Sequence, residues 1–158
     1  MNNVRFTKMS DSQSYAIVKS QHPLVGGVAG HNFIAVLTPE GNVIHELNGL
    51  ATSRTGEIKP IGYLPSDKLY IYDEVDVGKF FYNSSQNQEI IFSGSYREVM
   101  DKFQIGKYLI PLFNSKNFSY PFIGLGDNSN SAASTLLKGM GLPDPDLGNA
   151  ITPGEGAY

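Results

Sequence analysis

"HNFIAVLTPEGNVIHELNGLA", residues 31 to 51, is the stretch whose reading decides the fold. Two β-rich runs flank Pro39, Glu40, Gly41 and Asn42, residue types that favour a tight reversal, so the stretch predicts an antiparallel hairpin. Side chains alternate along a strand, and His31, Phe33 and Ala35 therefore project to one face while Asn32, Ile34 and Val36 project to the other. A turn centred near residue 40 pairs residues whose numbers sum to about 80. His31 then faces roughly Gly49 with Asn48 beside it, His45 lies near Ala35 and Glu46 near Ile34. A bulge or a slip of one residue changes which of these side chains meets His31.

Upstream, "SYAIVK" (14 to 19) reads as a strand and "PLVGGVAG" (23 to 30) as a Gly-rich connector. Downstream, "TSRTGEIKPIG" (52 to 62) has loop composition, while "KLYIYDEV" (68 to 75) and "QEIIFSG" (88 to 94) return to strand character. The period then changes. In "SYREVMDKFQIGKYLIPLF" (95 to 113), Val99, Met100 and Phe103 take helical spacing behind Ser95, an N-cap with Glu98 three residues on. That helix is expected to stop near Gly106 or to run on brokenly to Pro111. "NSKNFSYPFIGLGD" (114 to 127) reads as an ordered loop, because Phe118, Tyr120, Phe122 and Leu125 are too apolar for solvent. A second helix is expected from about Ser129 to Met140, burying Ala133, Leu136, Leu137 and Met140 and ending at Gly141. The pattern is α+β, a small antiparallel sheet with helices packed on it. It makes one domain over 1–142, with a Pro/Gly-rich, irregular tail over 143–158.

The 158 residues are 41% hydrophobic and 17% charged, the balance of an ordered globular chain rather than a disordered one. A formal charge of −3 with singly scattered basic residues offers no electrostatic footprint for nucleic acid or an anionic membrane. "MNNVRFTKMSDSQSY" lacks the apolar core of a signal peptide, and no run reaches the roughly 18 apolar residues of a membrane span. A chain made in the cytoplasm is expected, with export by a signal-less route left open. Cysteine is absent, which excludes disulfides, thiolate metal sites and thiol nucleophiles. His22, His31 and His45 have no metal-binding spacing, so neither a metal nor a cofactor is expected.

Nucleophilic hydrolysis requires a nucleophile, a base within hydrogen-bond reach and donors for an oxyanion. "GDNSNSAASTLLKGMG" (126 to 141) places Asn128, Ser129, Asn130 and Ser131 together at a helix start. Backbone N–H groups and the positive end of the dipole favour developing negative charge there. Ser129 and Ser131 are the candidate nucleophiles, with the Asn128 or Asn130 amide as an oxyanion donor; the plain alternative is that one of these residues caps the helix. His31 is the candidate base and Asn48 its orienter, with His45 and Glu46 as alternatives. Each also has a structural reading: His31 as a half-buried polar strand residue, Glu46 as a solvated one, and His45 as the polar side of an amphipathic strand.

A Gly-His strand (Gly30, His31), a return strand "HELNG" with polar residues, and a late "NSNS" helix start together resemble the circularly permuted papain-like hydrolases of the NlpC type. The resemblance is best over residues 30 to 50 and 114 to 141, and it extends to bacterial proteins of "GH…ELHG/ELNG…NSNS" pattern associated with polymorphic toxins and effectors. It implies a permuted papain-like arrangement in which His31 is the base, Asn48 the orienting residue and Ser129 the nucleophile. Where papain-like enzymes carry cysteine, this chain carries serine. A native serine nucleophile, a site that kept binding and lost catalysis, and an engineered replacement all remain open. The resemblance implies a hydrolase of amide or ester bonds acting on a peptide, glycopeptide or lipid, with a cognate immunity protein as a partner. The alternatives are a non-catalytic binding protein on the same fold and a structural phage or secretion-system component.

Overall fold

In the computed structural model, residues 14–24, 29–60, 62–120 and 129–147 are described, the side chains of Ala29 and Ser129 excepted. The β-branched run at Ile17 and Val18 lies inside β1 (Tyr15–Leu24), which pairs antiparallel with β2 (Ala29–Leu37) from Ala16↔Leu37 to Leu24↔Ala29. Strand β1 thus runs well beyond the residues that alternate in sequence. The hairpin forms as read: Thr38 and Asn42 close its turn, Gly41 takes φ 86°, and β3 (Val43–Thr52) returns beside β2.

Its register carries the irregularity that decides the site. Leu37 pairs with Val43, but the next pair is Val36↔His45, so Ile44 is a bulge residue and the ladder continues as Ala35↔Glu46 and Ile34↔Leu47. The added residue moves Glu46 and Asn48 onto the His31 face and His45 onto the other. Beyond Leu47, β3 leaves β2 and pairs with β5 (Lys68–Asp73) on its far edge, while the two-residue β4 (Ile58–Lys59) joins it at Ala51 and Thr52.

Among the described residues the sheet is completed by β6 (Asn87–Gly94) beside β1, giving six antiparallel strands in an α+β fold with three helices. A short α1 (Glu74–Val77) follows β5 directly. Helix α2 (Tyr96–Asn114) opens on the expected capping box, Ser95 Oγ accepting from Glu98 N and Glu98 Oε1 from Ser95 N, both at 3.1 Å. It does not stop at Gly106. That glycine is buried, and a Cβ there would lie 3.0 Å from Met140 Sδ and 3.3 Å from Leu47 Cδ1, so it marks a close approach and not an end. Pro111 lies inside the helix, within its last turn, where few hydrogen bonds depend on it. Helix α3 (Ser129–Gly139) ends as expected at Gly141, φ 69°, with Leu142 N donating to Leu137 O.

Helices α2 and α3 cover one sheet face, where Ile17, Ile34, Val36, Leu47, Phe103, Leu136 and Leu137 form the main core. A smaller cluster of Val18, Phe33, Ala35, Leu50 and Phe81 fills the other face. The first part of the tail is not frayed: the fully buried Lys19 on β1 donates to Asp144 Oδ1 (2.8 Å) and Pro145 O (2.7 Å), and Asn87 donates to Leu147 O.

Candidate active site

His31 projects from β2 into the smaller cluster and is fully buried, its ring stacked on Phe33 (centroids 5.8 Å apart) and met edge-on by Phe81 (5.5 Å). Its Nε2 lies 2.7 Å from Asn48 Oδ1. The hydrogen-bond network assigns the protons in this pair. Asn48 Nδ2 donates to Glu46 Oε1 (3.0 Å), which leaves Oδ1 as the end that faces His31, and an amide oxygen can only accept. Nε2 therefore donates, and Nδ1 carries the lone pair.

Glu46 can hold this position because its carboxylate also accepts from the backbone N–H groups of Phe81 (2.8 Å) and Tyr82 (2.7 Å). Burial pushes its pKa upward against those three donors. Burial also depresses His31, to about 4; the Asn48 hydrogen bond opposes that shift and the nearby His22 adds to it. The imidazole is neutral at pH 7. Its Nδ1 is buried and has no hydrogen-bond partner among the described residues.

The strand that carries His31 is tied to α3 where β2 and β3 separate. Past Ile34 the β2 backbone has no β3 partner, and the side chain of Asn130 takes the vacant positions. Asn130 Oδ1 accepts from Asn32 N (2.7 Å), and Asn130 Nδ2 donates to Gly30 O (3.1 Å). One buried amide thus imitates a strand neighbour and clamps the start of α3 across the backbone on either side of His31. Asn130 is a structural fastener in this arrangement.

Of the other residues singled out in the sequence, Ser131 is buried on α3 and is engaged in interactions of its own. Asn128 and the Ser129 side chain lie outside the described residues. His45 does not meet His31. The bulge turns it to the helix face, where it stacks on Phe103 (5.2 Å) and its Nδ1 lies 2.9 Å from Glu74 Oε1. Glu46 is not a solvated strand residue; it is fully buried and acts on His31 through Asn48.

Sequence reasoning missed three participants. Asn32 follows His31 as a fully buried polar residue, and Gln21 on β1 donates from Nε2 to its Oδ1 at 3.0 Å. The available signal was a polar pair opening an otherwise apolar strand, "HNFIAVL". Gly30 makes the Gln21 contact possible, since a Cβ there would lie 2.4 Å from Gln21 Cδ. Phe81, the third, walls His31 and lines a cavity of about 290 Å³ with Leu50, Ile58, Lys59, Pro60, Val77 and Lys79.

Among the described residues no group of three His, Asp or Glu side chains could hold a metal ion, and no helix is long and apolar enough to cross a membrane. Comparison with known protein families, curated proteins and solved structures finds no match. The site therefore rests on its own chemistry: a neutral imidazole of fixed tautomer with a buried, unpartnered nitrogen, on a strand whose backbone Asn130 ties to the start of α3.

Proposed function

We propose that this chain is a hydrolase that cleaves an amide or ester by acyl transfer, on a permuted papain-like arrangement, with Ser129 as nucleophile, His31 as base and Asn48 as the residue that orients it. Ser129 Oγ bonds to the acyl carbon as its proton passes to His31 Nδ1 and the carbonyl π pair moves onto oxygen. The tetrahedral intermediate collapses by expelling the amine or alcohol, which takes that proton from His31. Water then attacks the acyl-serine through the same base and frees the acid.

The observation that carries this reading is His31 Nδ1: buried, without a partner, fixed as an acceptor by the Glu46–Asn48 relay, and flanked by backbone that Asn130 ties to α3. A histidine kept only for packing gains nothing from an orphaned nitrogen, since leaving a buried polar atom unpaired costs about 1–3 kcal/mol. Serine requires more of its base than cysteine does. Fixing the tautomer and removing water are two ways of meeting that requirement.

The rival reading, a binding protein that uses the "FSYPF" aromatics, gains no support from the two described ones: Phe118 and Tyr120 fold into the main core. Peptide, glycopeptide and lipid acyl groups are the substrate classes we propose, in the setting of a bacterial effector restrained by an immunity protein.

The test is a biotinylated alkyl fluorophosphonate followed by peptide mass spectrometry. We expect phosphonylation at Ser129, lost in Ser129→Ala and slowed at least about 100-fold in His31→Ala. With the His31 pKa near 4, the labelling rate should hold from pH 7 to about 5 and fall below that. Wild-type protein that stays unlabelled, or equal labelling of His31→Ala, would remove the mechanism.

A further inference from the structure

We infer that the side-chain amide of Asn32 is an oxyanion donor of this site, an inference that rests on the acyl-transfer reading above. Asn32 is fully buried, and its Nδ2 has no hydrogen-bond partner among the described residues. Its amide is not free to rotate, because Oδ1 accepts from Gln21 Nε2 at 3.0 Å. Gln21 belongs to β1, the neighbour on one edge of β2. With the oxygen held by β1, the NH₂ end is left for another acceptor. Asn32 also spends its backbone N–H on Asn130 Oδ1 at 2.7 Å, so the unpartnered donor and the helix N-terminus share one junction.

Two orphaned polar atoms on consecutive residues, His31 Nδ1 and Asn32 Nδ2, are costly together. Consecutive side chains on a strand project to opposite faces. His31 projects to the face of the smaller cluster and Asn32 to the face that α3 covers, so the acceptor and the donor open on opposite sides of β2, whose backbone Asn130 ties to the start of α3. Acyl transfer has that polarity: the base removes a proton on one side of the nucleophile, and negative charge gathers on the carbonyl oxygen on the other. Asn32 Nδ2–H and the positive end of the α3 dipole would meet that oxygen, the amide bond strengthening as the C=O pair becomes an oxyanion. Gly30, by leaving room for Gln21, serves the same donor.

The fluorophosphonate reaction reads this directly. An O–P bond forms at Ser129, fluoride leaves, the proton goes to His31, and the phosphoryl oxygen takes the oxyanion position. In Asn32→Ala and in the near-isosteric, uncharged Asn32→Leu, which lack the donor, we expect labelling about 100- to 1,000-fold slower than wild type, with an unchanged pH midpoint. The unchanged midpoint separates a lost donor from a disturbed His31. Labelling of Asn32→Ala within about 3-fold of wild type, beside a slow His31→Ala, would overturn the inference and leave the mechanism standing. A shifted pH midpoint, or loss of the folded state in both variants by near-UV circular dichroism, would reassign Asn32 to structure and overturn it also. Wild-type protein that fails to label overturns the acyl-transfer reading, and this inference with it.

Discussion

Glu46 never touches His31, yet its carboxylate selects which nitrogen of that ring carries the proton. The relay works because an asparagine amide has two unlike ends: once Nδ2 is committed to Glu46, Oδ1 is committed to His31. Three N–H groups depend on the carboxylate, those of Phe81, Tyr82 and Asn48. Glu46→Ala should therefore cost at least about 3 kcal/mol in urea unfolding, since each abandoned buried donor costs about 1–3 kcal/mol. The same variant should slow fluorophosphonate labelling, because Asn48 is then free to turn its NH₂ toward the ring. Unaltered stability would show that the Phe81–Tyr82 backbone finds other acceptors.

At the scale of elements, two glycines test how closely the helices approach. A Cβ on Gly139 would sit 2.2 Å from Leu109 Cδ1, so Gly139→Ala must displace a side chain that belongs to α2. We expect it to destabilise by about 1–3 kcal/mol. Gly106→Ala meets the flexible end of Met140 at 3.0 Å while gaining helix propensity of about 1 kcal/mol, and should stay within about 1 kcal/mol of wild type. Urea titrations of the two variants check the contrast.

Gly106 also shows where sequence stops being informative. A glycine in a helical pattern reads as a terminator locally, and only the arrival of Met140 and Leu47 from distant elements explains it. The hairpin, the Ser95–Glu98 cap and the Gly141 stop were legible because each depends on residues a few positions apart. The register was not, because a bulge at Ile44 leaves no mark in the pattern of apolar residues. His31 and Asn48 could be named as candidates from the hairpin alone. The partners of Glu46 and Asn32 could not, since Phe81 is 35 residues from Glu46 and the Asn130 clamp is 98 residues from Asn32.

For the whole molecule, burying a neutral histidine links stability to acidity. The folded-state pKa of His31 lies below its unfolded value of 6.5, so the unfolded chain binds a proton first as pH falls. The stability this supplies is complete above pH 6.5 and is lost between 6.5 and about 4. Its size is about 3 kcal/mol. His22, also lowered by burial and by Lys79, acts in the same direction, whereas Glu46, raised by burial, acts in the opposite one. Comparing wild type with His31→Gln at pH 7 and pH 4.5 isolates the His31 contribution: wild type should lose more stability than the variant. Equal losses would show that the ring reaches water or a charge partner at low pH.

The clamp of Asn130 on β2 joins residues 98 and 100 positions apart. Ribosomes add roughly 5 to 20 residues per second, so about 5 to 20 s pass between the synthesis of the histidine strand and that of the helix that docks beside it. Through that interval a nascent chain can complete the hairpin, with His31 and Asn48 in register, while the gap beside Asn32 stays unfilled. An incomplete chain therefore lacks the fastener on this edge of β2, which closes only once α3 has been translated.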